Sequence, residues 1–573
     1  MTTSDVMAAA EAWITGDPDP QTRAELRALI DAGDVQAVAA RMGEGLAFGT
    51  AGIRGEVGAG SGRMNRAVVI RTTAGLASYL ASERPDRGPI VVGYDGRPTS
   101  RTFAEDVVGV LAAAGFKVRY FDHPVPTPLV AYTGRRLGAT ASIVITASHN
   151  PPQDNGYKVY DANAAQIVPP VDSGIAAEIK LAPQAVQVPR VENVLETGHD
   201  AVAVVGLDLE DDYLADLTAI RHPAPAGSAM RIVYTPLHGV GRDLMVRAFR
   251  NAGFRDVHVV PEQAEPDGRF PTVAFPNPEE PGALDLAKSL ADAEQADLIL
   301  ANDPDADRLA VCVPDPTGGW RALSGNQTGI LLADYVLSTD HGAEQPIVAS
   351  SIVSSPMLGP VAEAYGARWE RTLTGFKWIC NAALDLEAMG EGHFVFGYEE
   401  ALGYTVGRVV RDKDGIGAAV WFADLVAHLR TEGESVLDRL EALYRRHGLW
   451  VSTQKAVIRP GPVGRDEIAA AMERLRDRRP ETLGGRQVRA VTDYRDGAEG
   501  RPRWLGEQAL VVFSLEGGSR VLVRPSGTEP KLKIYVDAAG ELAPGAALAE
   551  AEAALLDEAG LAAADLAEFL GFA

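Results

Sequence analysis

Cysteine is nearly absent: Cys312 and Cys380 are the only two in 573 residues. Two thiols build no disulfide framework, and such sparse use fits a reducing, cytoplasmic compartment. No run of about 18 apolar residues occurs, so neither a membrane span nor a membrane partner is expected. The opening stretch MTTSDVMAAAEAWITGDPDP is acidic in part and has no apolar segment of signal-peptide length. Gly-Lys pairs are missing altogether, which excludes a nucleotide-binding P-loop. Basic residues are in deficit, with 54 Lys and Arg against 78 Asp and Glu, a formal net charge of −24. A field of that sign repels phosphate backbones and argues against nucleic acid as a partner. It also repels small phosphorylated ligands, so any site for one must be locally basic.

What is present is ordinary soluble material, 46% apolar and 23% charged. At roughly 150 residues per domain, the length suggests about four domains, enough to bury several cores without staples. One unit, strand, polar turn, helix, glycine and strand, recurs three times. It runs from PIVVGYDGRPTS to LAAAGFKVRYFD, from MRIVYTPLHGVG to FRNAGFRDVHVV, and from PIVASSIVSSPM to AEAYGARWERT. Gly115, Gly253 and Gly366 mark the helix ends, and this order predicts parallel βαβ units. ALVVFSLE, SRVLVRPS and LKIYVDAA then read as short strands joined by tight turns, with a helical tail from about Pro544. Helices are expected up to about Arg41. The expected fold class is α/β, with three similar mixed-sheet domains and a smaller C-terminal α+β domain. The expected boundaries are 1–205, 206–318, 319–440 and 441–573.

Two stretches carry candidate chemistry. ITASHNPPQDNGYKVY, residues 145–160, places Ser148 after an apolar strand, at the carboxyl end where open α/β sheets bind ligands. A nucleophile elbow needs glycines where Thr146 and Asn150 stand. On extended backbone His149 points away from Ser148, a poor arrangement for a base. A polar turn fixed by Asn150 and the two prolines is an equal reading. DLILANDPDADRLAVCV, residues 297–313, spaces Asp303, Asp305 and Asp307 by two. On extended backbone that spacing gathers three carboxylates on one face, around one hard cation. An EF-hand is excluded, because Arg308 and Pro314 occupy the positions needing Gly and Glu. The plain alternative is a solvated acidic loop. Three carboxylates leave Mg²⁺ short of ligands, and a phosphate on Ser148 would complete its shell. Phosphoryl transfer requires mainly positioning and charge neutralisation, which two such loops offer.

Together with FGTAGIRG (48–55), GYEEALGY (397–404) and RPSGTEPKLK (524–533), these stretches resemble the α-D-phosphohexomutase family, in its phosphoglucomutase-2 or phosphopentomutase branch. The resemblance implies that Ser148 is carried as phosphoserine and lends its phosphoryl group to a sugar monophosphate. The resulting bisphosphate, glucose 1,6-bisphosphate for a phosphoglucomutase, turns around and returns its other phosphate, and it also serves as activator. Glucose 1- and 6-phosphates are the expected pair, with mannose or pentose phosphates as rivals. By the same resemblance Mg²⁺ is held by Ser148, through its phosphate, and by Asp303, Asp305 and Asp307. Lys158 acts as general base or acid, with its pKa expected low among neighbouring cations. Arg54 and His149 line the reaction centre, and Gly52 and Gly55 beside Arg54 permit close approach to an anion. Substrate falls to Arg308, Thr374, Gly375, Lys377, Glu399 and the second phosphate pocket, Arg524, Ser526, Gly527 and Thr528. Ala401 stands where the commoner family form has serine, which removes one sugar hydrogen bond. Sites from four domains imply a central cleft, with the last domain closing as a lid. Sugar phosphates are the expected partners of a monomer or weak dimer. Two other classes stay open: a phosphosugar-binding sensor without turnover, and a serine hydrolase.

Overall fold

A computed structural model describes residues 3–43, 45–50, 52–84, 88–222, 229–340, 342, 344–459, 461–526 and 531–572. The chain forms two compact units, Met1–Ala322 with Gly403–Asp424, and Leu323–Leu402 with Leu425–Ala573.

The first unit opens with three helices, Thr3–Gly16, Pro20–Asp31 and Val35–Met42. The Asp19 and Asp34 side chains cap the second and third by accepting first-turn N–H groups. The helices close over a small core of their own, Val6, Ala10, Leu26, Val38 and Met42. A six-stranded sheet follows, built from β1 (Ile53–Glu56), β2 (Ile90–Tyr94), β3 (Val118–Tyr120), β4 (Ala141–Ile145), β5 (Asp154–Tyr160) and β6 (Val202–Val204). Its order is β1-β5-β4-β2-β3-β6. Strands β4, β2, β3 and β6 run parallel, while β5 and β1 are antiparallel additions at one edge. β2 and β4 are buried along their whole length, which is why both read as unbroken apolar runs.

A second sheet in the same unit takes the order β11-β10-β9-β7-β8. Its strands are β7 (Arg231–Thr235), β8 (Asp256–Val259), β9 (Leu298–Ala301), β10 (Ala310–Pro314) and β11 (Trp320–Ala322). β7 pairs in parallel with β8 and β9, and β10 returns antiparallel to β9. The aspartate-rich segment is therefore the short link between two antiparallel strands.

In the second unit, Pro346–Ser351 pairs in parallel with both Arg368–Thr372 and His393–Glu399. Gly115, Gly253 and Gly366 all adopt positive φ, at 83°, 94° and 67°, as the three expected helix stops require. The C-terminal sheet is antiparallel throughout, in the order Leu449–Ile458, Lys531–Gly540, Arg520–Pro525, Val511–Leu515, Arg486–Asp493, Thr482–Leu483. The helix Leu548–Phe569 packs against it. Leu449–Ile458 splits its apolar residues around Ser452–Lys455 and Arg486–Asp493 intersperses them with polar ones, both strands being largely solvent-facing, so neither carries the unbroken apolar signal of a buried strand. Among the described residues no helix is long and apolar enough to cross a membrane.

Candidate active site

Ser148 sits three residues beyond the end of β4 and is buried. Its backbone is left-handed, with φ 52°, rather than extended. That corrects the expectation for His149: the turn brings its Nδ1 to 3.3 Å from Ser148 Oγ. Burial first, then the charges of Arg308 and Arg54, hold the His149 imidazole well below its usual pKa, so it is neutral near pH 7.

Ser148 Oγ donates to Asp303 Oδ2 at 2.6 Å. One oxygen from each of Asp303, Asp305 and Asp307 lies within 4.8 Å of the others, and all three residues are buried. The convergence does not come from extended backbone, as the spacing suggested. The segment turns, with Ala306 at φ 54°, and Asn302 Nδ2 ties its two ends by donating to Arg308 O at 2.6 Å. TPLHGVG braces the turn from below: Val240 N donates to Pro304 O, and a Cβ on Gly239 would lie 2.5 Å from Pro304 Cα.

Lys158, on β5, donates to Asp305 Oδ2 at 2.6 Å and to Asp307 Oδ2 at 3.0 Å. Burial works to lower the Lys158 pKa, but the two carboxylates outweigh it and the net shift is upward. The expected lowering is thus reversed, because the nearest charges are negative rather than cationic. Burial pushes Asp305 and Asp307 upward, but Lys158, helped by the Thr127 hydroxyl at Asp305 and by Lys413 and Arg308 at Asp307, brings both below the usual carboxylate value. Asp303 goes the other way, raised by burial and then by the two neighbouring carboxylates. Like charges this close resist joint ionisation.

Two oxygens of the triad, Asp305 Oδ1 and Asp307 Oδ1, are buried without a hydrogen-bond partner. Leaving a buried acceptor unmade costs about 1–3 kcal/mol, and more for a charged one. Hard oxygens converging in this way fit a divalent cation.

Arg54 lies on β1 opposite Gly156 of β5, which places it on the same sheet face as Lys158. Its Nη1 donates to Asn150 Oδ1 at 2.7 Å, and Asn150 Nδ2 donates to Asp154 Oδ2 at 2.8 Å. The Gly52 reading needs correction, since a Cβ there would lie 1.8 Å from Tyr157 O. The glycine serves close strand approach rather than an anion. Arg308 Nε stands 4.0 Å from Asp303 Oδ2 and 3.9 Å from Asp307 Oδ1, too far for a hydrogen bond.

Three neighbours escaped the sequence reading. Thr127, at the start of the helix Thr127–Arg136, donates from Oγ1 to Asp305 Oδ2 at 2.7 Å. Lys413 Nζ lies 3.2 Å from Asp307 Oδ2. Asn150, read only as a turn residue, links the Arg54 strand to the Ser148 loop. Nothing in the spacing of VPTP or RDKDG announces the first two.

The remaining candidates belong to the second unit. Glu399 Oε1 accepts from Gly375 N at 2.6 Å, and Arg524 Nη1 hydrogen-bonds Thr374 Oγ1. Lys377 lies in the first turn of the helix Phe376–Ala388. Glu400 is spoken for differently: Ser351 and Ser354 both donate to its Oε2, at 3.1 Å each. Ser526 N donates to Lys531 O at 2.7 Å. Gly527 and Thr528 lie outside the described residues.

Four family models match the chain in order. They are phosphoglucomutase/phosphomannomutase alpha/beta/alpha domain I over residues 45–185, domain II over 211–318, domain III over 324–447, and the C-terminal domain over 467–555. A probable phosphomannomutase of Haemophilus influenzae is 42% identical over 486 residues, 83% of this chain and 93% of that protein. A probable phosphoribomutase of Schizosaccharomyces pombe is 39% identical over 557 residues, 92% of this chain and 93% of that one. Among solved structures, pp63/parafusin (phosphoglucomutase) of Paramecium, in an open form, superposes with a TM-score of 0.69 at 18% identity. That match covers 93% of this chain and 96% of the other, and speaks for the fold alone. The chain belongs to the phosphoglucomutase/phosphomannomutase (α-D-phosphohexomutase) family of phosphotransferase isomerases.

Proposed function

We propose that the protein interconverts the 1-phosphate and the terminal phosphate of an aldose, with glucose 1-phosphate and glucose 6-phosphate as the first pair. The route is phosphoserine at Ser148 and a sugar bisphosphate, glucose 1,6-bisphosphate for glucose, which also primes the serine. One observation carries this reading: Ser148 Oγ lies 2.6 Å from Asp303 Oδ2, inside a buried carboxylate triad with two unpartnered oxygens. A plain polar turn has no reason to be held there.

In this reading Asp303, Asp305 and Asp307 hold Mg²⁺. The bound ion neutralises phosphate charge at Ser148. Arg54 and Arg308 bind the phosphate being moved. Lys158 Nζ, charged beside Asp305 and Asp307, is set to give a proton to Ser148 Oγ as the phosphoryl group leaves. The sugar hydroxyl that takes the phosphoryl group gives up its own proton in turn, with neutral His149 beside Ser148 Oγ as the acceptor. Thr374, Gly375, Lys377 and Glu399 read the sugar, and Arg524 with Ser526 takes the far phosphate. The four-domain division at 205, 318 and 440 belongs to the same proposal, as does the monomer or weak dimer.

A pentose phosphate is the second reading. Ala401 offers no side-chain hydrogen bond to a sugar hydroxyl, and the phosphoribomutase named above spans nearly the whole chain. Intact-mass and peptide mapping of the purified protein should place one phosphate on Ser148. Rates on glucose, mannose and ribose 1-phosphates then rank the sugars. Ser148→Ala is expected to abolish turnover and still bind sugar phosphate; full activity in that variant refutes the covalent route.

A further inference from the structure

GYDGRPTS carries the chain from the end of β2 through a turn to a helix start at Ser100, and its arginine makes five side-chain hydrogen bonds around the Ser148 loop. Arg97 is buried, with 1% of its side chain exposed. A guanidinium has five N–H donors in a planar fork, and here each one has a partner. Nη2 donates to Ser148 O at 2.8 Å and Asn150 O at 2.6 Å. Nη1 donates to Pro151 O at 2.6 Å and Asp154 O at 2.9 Å. Nε donates to Asp95 Oδ2 at 3.1 Å. No donor is left for a substrate, so Arg97 is not a phosphate ligand.

The Asp95 carboxylate extends the clamp. Thr146 Oγ1 donates to Asp95 Oδ2 at 2.8 Å and accepts from Ser148 N at 2.9 Å. Ser148 is therefore gripped at both backbone groups, its carbonyl by Arg97 directly and its amide through Asp95 and Thr146. That grip falls on a residue at φ 52°, a left-handed conformation that sterics disfavour for an L-residue. The Phe270 ring lies against one face of the guanidinium, 5.1 Å from ring centroid to Cζ.

We propose that Arg97 is a positioning residue for phosphoryl transfer: it holds the backbone of 148–154 so that Ser148 Oγ stays at the aspartate triad. The proposal rests on Ser148 being the phosphoryl carrier. Lysine cannot replace it, having three donors on a point charge instead of five in a plane. Misplacing a reacting atom by about 1 Å costs on the order of 100-fold in rate. Substrate affinity should hardly change, because the groups assigned to substrate remain.

The test compares wild type, Arg97→Lys and Thr146→Val. Rates are divided by the Ser148 phosphate content from intact mass, so misfolded protein does not count. Arg97→Lys is expected to lose about 100-fold in this normalised kcat with KM within about threefold. Thr146→Val, which cuts only the amide arm, should lose about tenfold and decides the matter if Arg97→Lys does not fold. Backbone hydrogen exchange over 148–154 should rise in both variants. Normalised kcat within threefold of wild type, or unchanged exchange, overturns the proposal. A wild-type chain inactive on every sugar phosphate would sink the phosphoserine reading instead; the exchange measurement would still judge the clamp.

Discussion

Asp305 shows how much one carboxylate can be asked to do. Its Oδ2 takes the Lys158 ammonium and the Thr127 hydroxyl, which leaves Oδ1 buried with no hydrogen-bond partner. Thr127 thus fixes which oxygen is left for a cation, the part outer hydrogen bonds play around metal ligands. Thr127→Val, nearly the same shape, should raise the Mg²⁺ concentration for half-maximal activity by about tenfold. A Mg²⁺ titration of initial rate checks this, and an unshifted midpoint would free Thr127 of the role. At this scale the sequence was a fair guide to identity and a poor one to geometry. Ser148 and the three aspartates stood out from spacing and flanking strands. The side His149 takes could not be read, because it turns on the handedness of one backbone angle. Nor could the direction of the Lys158 shift, which depends on which charges the fold places nearest.

Among the elements, the helix Gly415–Glu432 illustrates a charge confined by packing. Asp414 precedes it, and its Oδ1 accepts from Ile416 N at 3.1 Å, Gly417 N at 2.9 Å and Tyr213 OH at 2.8 Å. Burial nevertheless dominates and raises its pKa from 3.8 to about 6. The folded state then holds this proton more tightly than the unfolded one. The stability it contributes is complete below about pH 4 and is lost as pH rises through 6. Asp414→Asn keeps an acceptor in place and lacks the titration. Its melting temperature should change less than that of wild type between pH 5 and 7, as calorimetry at fixed ionic strength would show. The sequence announces none of this, since RDKDG reads as an ordinary polar turn. The three glycine-stopped helices were legible for the opposite reason: a positive φ at a helix end selects glycine locally, whatever packs above it.

For the whole molecule, composition set a problem that the first unit resolves. A chain of net charge −24 must find cations for a phosphorylated ligand. It collects Arg54, Lys158, Arg308 and Lys413 around or beside one buried triad, although they come from segments more than 350 residues apart in sequence. Periodicity could give the α/β layers, because each strand carries its own apolar signal. It could not bring position 413 to position 307, which is a matter of tertiary path. The gathering has a kinetic corollary. A sugar phosphate diffusing in meets a repulsive far field before a favourable near one, so the outer leg of the approach is uphill. Screening shortens that leg, the Debye length falling from about 30 Å at 0.01 M salt to about 8 Å at 0.15 M. Capture, read as kcat/KM, should therefore quicken as inert salt is first added, the reverse of what an attractively steered enzyme shows.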